Sequence, residues 1–141
     1  MKKKIFLIPL IIISLFILTG CNETTKLKED TDYKIGGEFT GQYLDLTQRG
    51  YYIDTLNQIN APYYYIICMG EKSTGGYSLN IKEVNKTETQ TEIIVEEIEP
   101  KAGSIVTMAF TYPTIMVEFP EYQDNIIIKN TKGEVFEYLG E

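Results

Sequence analysis

The chain beyond residue 37 predicts an all-β domain, or a mainly β one with one short helix: a small antiparallel sandwich or barrel of about six or seven strands. Three observations carry this reading. Tyr63–Met69 (YYYIICM) is an unbroken apolar, aromatic and β-branched run, as in a strand buried on both faces. Tyr77, Leu79 and Ile81, and later Ile115, Val117 and Phe119, mark alternating faces with the period of a strand. Turn residues separate these runs at Gly70–Gly76, Asn85–Glu88 and Asn130–Gly133.

Taken in order, Phe39, Tyr43, Leu44 and Leu46 predict a first strand around 41–47. Tyr51–Asn60 (YYIDTLNQIN) fits a short helix with Tyr52, Leu56 and Ile59 on one face. Tyr63–Met69 is the next strand. Residues 77–82 and Glu92–Ile98 form a hairpin through Asn85-Lys86-Thr87-Glu88. Pro100 and Gly103 break the chain, so Ile105–Phe110 crosses over as an irregular or extended segment. A strand through Ile115, Val117 and Phe119 follows Pro113. Asn125–Lys129 and Glu134–Leu139 close the domain as a hairpin, in which Gly133 supplies a positive φ.

Upstream, Met1 is followed by Lys2, Lys3 and Lys4, an apolar run from Ile5 to Leu18, and then Thr19-Gly20-Cys21. A basic start, an apolar centre and a small-residue cleavage site define a secretory signal peptide over residues 1–20. The apolar run is shorter than the about 20 residues that a spanning helix needs. Leu18-Thr19-Gly20-Cys21 resembles the bacterial lipobox, Leu-small-Gly/Ala-Cys. That resemblance implies cleavage between Gly20 and Cys21 and a diacylglycerol thioether on Cys21. The mature chain is then expected on the extracytoplasmic face of a bacterial cell membrane, held by covalent lipid. Asn22–Gly37 (NETTKLKEDTDYKIGG) is polar and charged and reads as a flexible tether, with Asp30 and Asp32 solvated rather than metal-binding. The expected organisation is a signal peptide over 1–20, a lipidated cysteine and tether over 21–37, and a β domain over 38–141.

Composition narrows the chemistry. Removing residues 1–20 takes away three lysines and no acids, leaving 10 basic and 20 acidic residues and a formal charge of −10. Such a chain is repelled by nucleic acid and by anionic headgroups. The chain has no histidine, which removes Ser-His-Asp and Cys-His pairs and histidine zinc sites. No Gly-x-Ser-x-Gly elbow, Walker loop or calcium loop is present, and no cofactor or metal is predicted. If Cys21 carries lipid, Cys68 has no intrachain partner, and its apolar setting reads as core. Glu96, Glu97, Glu99 and Glu118 offer carboxylates for glycoside cleavage. On a strand, the first three read more simply as a solvated, aggregation-resistant edge. The chain is therefore read as a non-enzyme.

Gly70-Glu71-Lys72-Ser73-Thr74-Gly75-Gly76-Tyr77-Ser78-Leu79 is the segment most specific to this chain. Adjacent glycines allow backbone angles closed to other residues and a close approach by another chain. Tyr77 reads as the first inward residue of the following strand. The block resembles the C-terminal domain of the protease complex subunit PrcB family. That family has a Gly-x-x-x-Thr-Gly-Gly-Tyr-Ser turn, a strand, a Pro-x-x-Gly linker and a Tyr-Pro segment leading into an apolar strand. Here the parts are Gly70, Thr74-Gly75-Gly76-Tyr77-Ser78, Pro100-Lys101-Ala102-Gly103, and Thr111-Tyr112-Pro113 before Ile115-Met116-Val117. The resemblance spans about residues 63–120.

It implies an exported, often lipid-anchored β domain associated with a surface protease complex and supplies no catalytic residue. The candidate partner-binding residues are Ser73, Thr74, Gly75, Gly76 and Tyr77, with the Glu99–Thr111 crossover beside them. The expected partner is an exported protease or another envelope protein. A chagasin-type protease inhibitor is the alternative, with a Thr-Gly-Tyr wedge after Asn-Pro and an Arg-Pro-Trp loop. This chain has one glycine too many in Thr74-Gly75-Gly76-Tyr77, lacks the Asn-Pro and has no tryptophan. An envelope-structural or ligand-binding lipoprotein also stays open.

Overall fold

Short runs of β-branched and aromatic residues pair into two four-stranded sheets, packed face to face, in the computed structural model, which describes residues 23–36, 44–55 and 62–140. The strands are β1 (Thr25–Lys26), β2 (Lys34–Ile35), β3 (Arg49–Asp54), β4 (Tyr63–Met69), β5 (Ser78–Lys86), β6 (Thr91–Ile98), β7 (Thr114–Phe119) and β8 (Ile126–Asn130). One sheet has the order β1-β5-β6-β8 and the other β2-β7-β4-β3. The result is a sandwich, not a closed barrel, and the described residues contain no helix.

The core lies between the sheets. Tyr65 and Ile67 from β4, Val117 and Phe119 from β7, Ile93 and Val95 from β6, Ile128 from β8 and Phe136 from the tail are at most 1% exposed. Each such aliphatic or Phe side chain contributes about 1.5–3 kcal/mol by leaving water. The ring of Tyr65 meets that of Phe119 edge-on at 5.5 Å. Strand β4 is buried on both faces, as its unbroken apolar run predicts. Ile66 and Cys68 point the other way, into a second cluster with Tyr52 and Met116, covered by Leu44, Leu46 and Leu139.

Strand β5 carries a bulge between Ile81 and Glu83 in its pairing with β6. The extra residue shifts the inward face by one position, so Ile81 and Val84 both reach the core. The turn between β5 and β6 is fixed by Thr87, whose amide donates to the Gln90 carbonyl at 2.8 Å.

Four sequence expectations change. Residues 44–47 form a turn rather than a strand, because Asp45 accepts hydrogen bonds from the Thr47 amide and hydroxyl. Residues 41–43 lie outside the described residues. Where a helix was expected over 51–60, residues 51–54 belong to β3, paired residue for residue with β4; residues 56–60 lie outside the described residues. The pairing of β6 with β8 is parallel. The chain leaves β6 for the second sheet, runs down β7, and returns at the opposite end, so β8 must point as β6 does. Finally, Glu134–Leu139 is not a regular strand, although the turn at 130–133 is present, with Gly133 at φ +90°. The tail instead links the sheets: the Phe136 amide donates to Ile128, the Tyr51 amide to Glu137, and the Leu139 amide to Tyr51.

Part of the expected tether is also ordered. Strand β1 pairs with β5, β2 pairs with β7, and Tyr33 between them is 8% exposed against Phe119. Leu27, Tyr33 and Ile35 supply just enough apolar surface to hold this polar segment across the sandwich. The predicted cleavage and lipidation positions, Gly20 and Cys21, lie outside the described residues.

Candidate functional site

Two loops meet at one end of the sandwich. Residues 70–77 join β4 to β5 within the reach of residues 99–113, which carry the chain from β6 to β7. Lys72 and Thr111 exchange both backbone hydrogen bonds at 2.9 Å, and the Gly75 amide donates to the Thr107 carbonyl at 2.9 Å. The Thr111 hydroxyl donates to the Thr74 carbonyl at 2.8 Å, and the Tyr112 hydroxyl to Glu71 at 2.9 Å. The glycine-rich turn thus acts as a brace for the longer loop.

Gly76 shows why the turn needs glycine. Its φ is +89°, and a Cβ there would lie 2.8 Å from Pro100 Cβ and 2.9 Å from Val106 Cγ1. Ser73 is exposed at the tip, Thr74 and Gly75 are half-buried, and Gly76 is exposed. Tyr77 differs from expectation. It stands one residue before β5, is half-buried and lies outside the core cluster, with Lys72 Nζ 5.4 Å from its ring centre. The glycines before it hold the chain at the rim of the sandwich, above the level where inward side chains reach the core.

The braced loop is the Glu99–Thr111 crossover expected beside the candidate residues, and the structure picks out which of its side chains stand outward. Ile105 is fully exposed, Met108 is 84% exposed and Phe110 66%, all on the stretch IVTMAF. Soluble surfaces rarely hold large apolar side chains out together on one loop unless something covers them. The signal was available: this apolar run follows Pro100 and Gly103 and has no alternation that would turn one side inward.

Other candidate chemistry is absorbed by structure. Glu97 is not a solvated edge residue, because β6 lies between β5 and β8. Arg49 binds it through two contacts, Nε–Oε1 at 3.0 Å and Nη2–Oε2 at 3.1 Å, while Asn130 donates to Oε2 at 2.6 Å. Arg49 also donates to the Val135 carbonyl and stacks 3.8 Å above the centre of the Phe136 ring. Burial would raise the Glu97 carboxyl's pKa, but the hydrogen bonds from Arg49 and Asn130, with the Arg49 charge, hold it below the ordinary range. This group clamps β3, β6 and the tail together. Cys68 is fully buried and unpaired, and burial pushes its thiol up to about 11, which suits a core residue and not a nucleophile. Among the described residues, no group of three or more thiol or carboxylate side chains gathers to hold a metal.

The fold and this end of it define an all-β sandwich that carries an apolar loop hydrogen-bonded to the glycine-rich turn. Residues 63–120, from the first residue of β4 to just past the end of β7, match the family model of the PrcB C-terminal domain. The match takes in both loops of the site and suggests association with a protease-related complex. No curated protein and no solved structure matches the chain.

Proposed function

We propose that this protein is a lipid-anchored, extracytoplasmic accessory domain that binds a partner in an exported protease complex and performs no catalysis itself. The observation that carries the reading is the exposure of Ile105, Met108 and Phe110 on a loop fixed in place by the 70–77 turn. Large apolar and aromatic groups held rigidly in water supply binding energy when a partner covers them, and a preformed loop loses little entropy in doing so. The family match over the same residues supports a partner from a protease complex. The Leu18-Thr19-Gly20-Cys21 pattern supports the anchor.

Two experiments test the two halves. Replacing Ile105, Met108 and Phe110 together with serine should leave the melting temperature unchanged and abolish co-purification with the exported protease partner. Equal recovery of that partner by the variant would overturn the site. Cys21→Ser should remove lipid label and release the chain from washed membranes. Retention of label by that variant would overturn the anchor.

A further inference from the structure

The strand β1 decides which end of the domain a lipid on Cys21 can hold to the membrane. Thr25 pairs with Lys86 and Lys26 with Asn85, at the end of β5 that leads into the Thr87–Gln90 turn. The chain runs antiparallel to β5, so residues preceding Thr25 leave the sandwich at that end. The 70–77 and 99–113 loops lie at the opposite end, before β5 begins and after β6 finishes. Cys21 is four residues from Thr25, a covalent reach of about 14 Å at most. Strand β5 has nine residues and is about 30 Å long. The leash is therefore shorter than the domain it holds.

We propose that the anchor fixes the domain upright, with its β5–β6 turn against the membrane and Ile105, Met108 and Phe110 facing away from it. This rests on lipidation of Cys21 as proposed above. It selects the occupant of the display loop: a protein surface with apolar pockets, standing in the extracytoplasmic space, and not the bilayer. For those side chains to enter lipid, the domain would have to invert, and four residues cannot pass its length.

The test uses the full, lipidated chain reconstituted in vesicles of phosphatidylethanolamine and phosphatidylglycerol that contain a headgroup energy acceptor. A fluorophore is placed on Glu88→Cys in one sample and on Met108→Cys in another; native Cys68 is buried and does not compete. Energy transfer should be several-fold stronger from position 88 than from position 108. Insertion of about 15 Gly/Ser residues between Asn22 and Glu23, roughly 20 Å of added average reach, should bring the two signals together. Equal transfer with the native leash, or stronger transfer from position 108, would overturn the orientation and favour the bilayer as occupant. An unchanged ratio after the insertion would show that the leash does not set it. The mass of the N-terminal peptide separates the premises: a lipid-free Cys21 removes the anchor and the orientation together, whereas a lipidated chain with the wrong ratio removes the orientation alone.

Discussion

Gly76→Ala tests whether the glycine turn positions the display loop. At φ +89°, an alanine is strained by about 1 kcal/mol or more. Its methyl group would also be driven against Pro100 Cβ at 2.8 Å and Val106 Cγ1 at 2.9 Å, an overpacking worth about 1–3 kcal/mol. Both neighbours lie on the 99–113 loop and not in a strand ladder, so part of the clash is relieved by moving that loop. The net cost should therefore be near the lower end, about 2 kcal/mol, which lowers the melting temperature of a domain this size by about 10 °C. The displacement that relieves the clash also moves Ile105, Met108 and Phe110. Partner binding, measured well below both melting temperatures, should then fall further than the small unfolded fraction explains. Ser73→Lys, at the exposed tip, is the comparison: it should leave stability unchanged and weaken binding only through its charge. A Gly76→Ala protein that melts within about 1 °C of the parent and binds equally well would refute the idea that the turn braces the loop.

Three further outcomes follow from the same contacts. Gly50→Ala should destabilise the domain by about 2 kcal/mol or more and expose the tail to proteolysis, because its methyl would lie 2.5 Å from the Glu137 carbonyl and from Leu139 Cγ; unaltered urea unfolding and tail protection would contradict this. Glu97, whose folded pKa lies below its unfolded value of about 4.3, stabilises above that value, and its contribution disappears as pH falls through the folded pKa. Urea midpoints followed from neutral to acidic pH should hence fall more steeply for the parent than for Glu97→Gln, and parallel curves would rule out the Arg49–Glu97–Asn130 clamp as an acid-sensitive element. In the Cys21→Ser chain, Cys68 is the one remaining thiol and should react slowly when folded and rapidly in denaturant; fast reaction of the folded chain would place it at the surface.

Legibility followed how local each signal was. Strand β4 was visible because both its faces are buried, and the β5–β6 hairpin and β7 because their faces alternate. Strands β1 and β2 were hidden because two residues carry no period, and the segment that holds them buries only Leu27, Tyr33 and Ile35 amid charges. Strand β3 looked helical because Tyr52, Leu56 and Ile59 share a helical spacing, while its true pairing depends on β4, which the local pattern cannot show. The parallel partnership of β6 and β8 depends on the chain crossing between sheets, a non-local choice that no turn residue announces. Gly50 carried no turn signal at all, since its purpose is to let the tail pass over β3.

The candidate site was half legible for the same reason. The Thr74-Gly75-Gly76-Tyr77 turn announces itself through backbone chemistry, but what it does depends on Thr107, Thr111, Pro100 and Val106, about 25 to 35 residues later in the chain. A braced loop with Ile105, Met108 and Phe110 outward exchanges some solubility for a surface that is ready to bind. The rest of the chain limits that risk. The tail pairs along β8 and β3, and the segment from β1 to β2 pairs with the final residues of β5 and of β7, so these edges are partly capped. Ile105, Met108 and Phe110, the most exposed large apolar side chains among the described residues, thus stand together at one end, the end that a four-residue leash on Cys21 would turn outward.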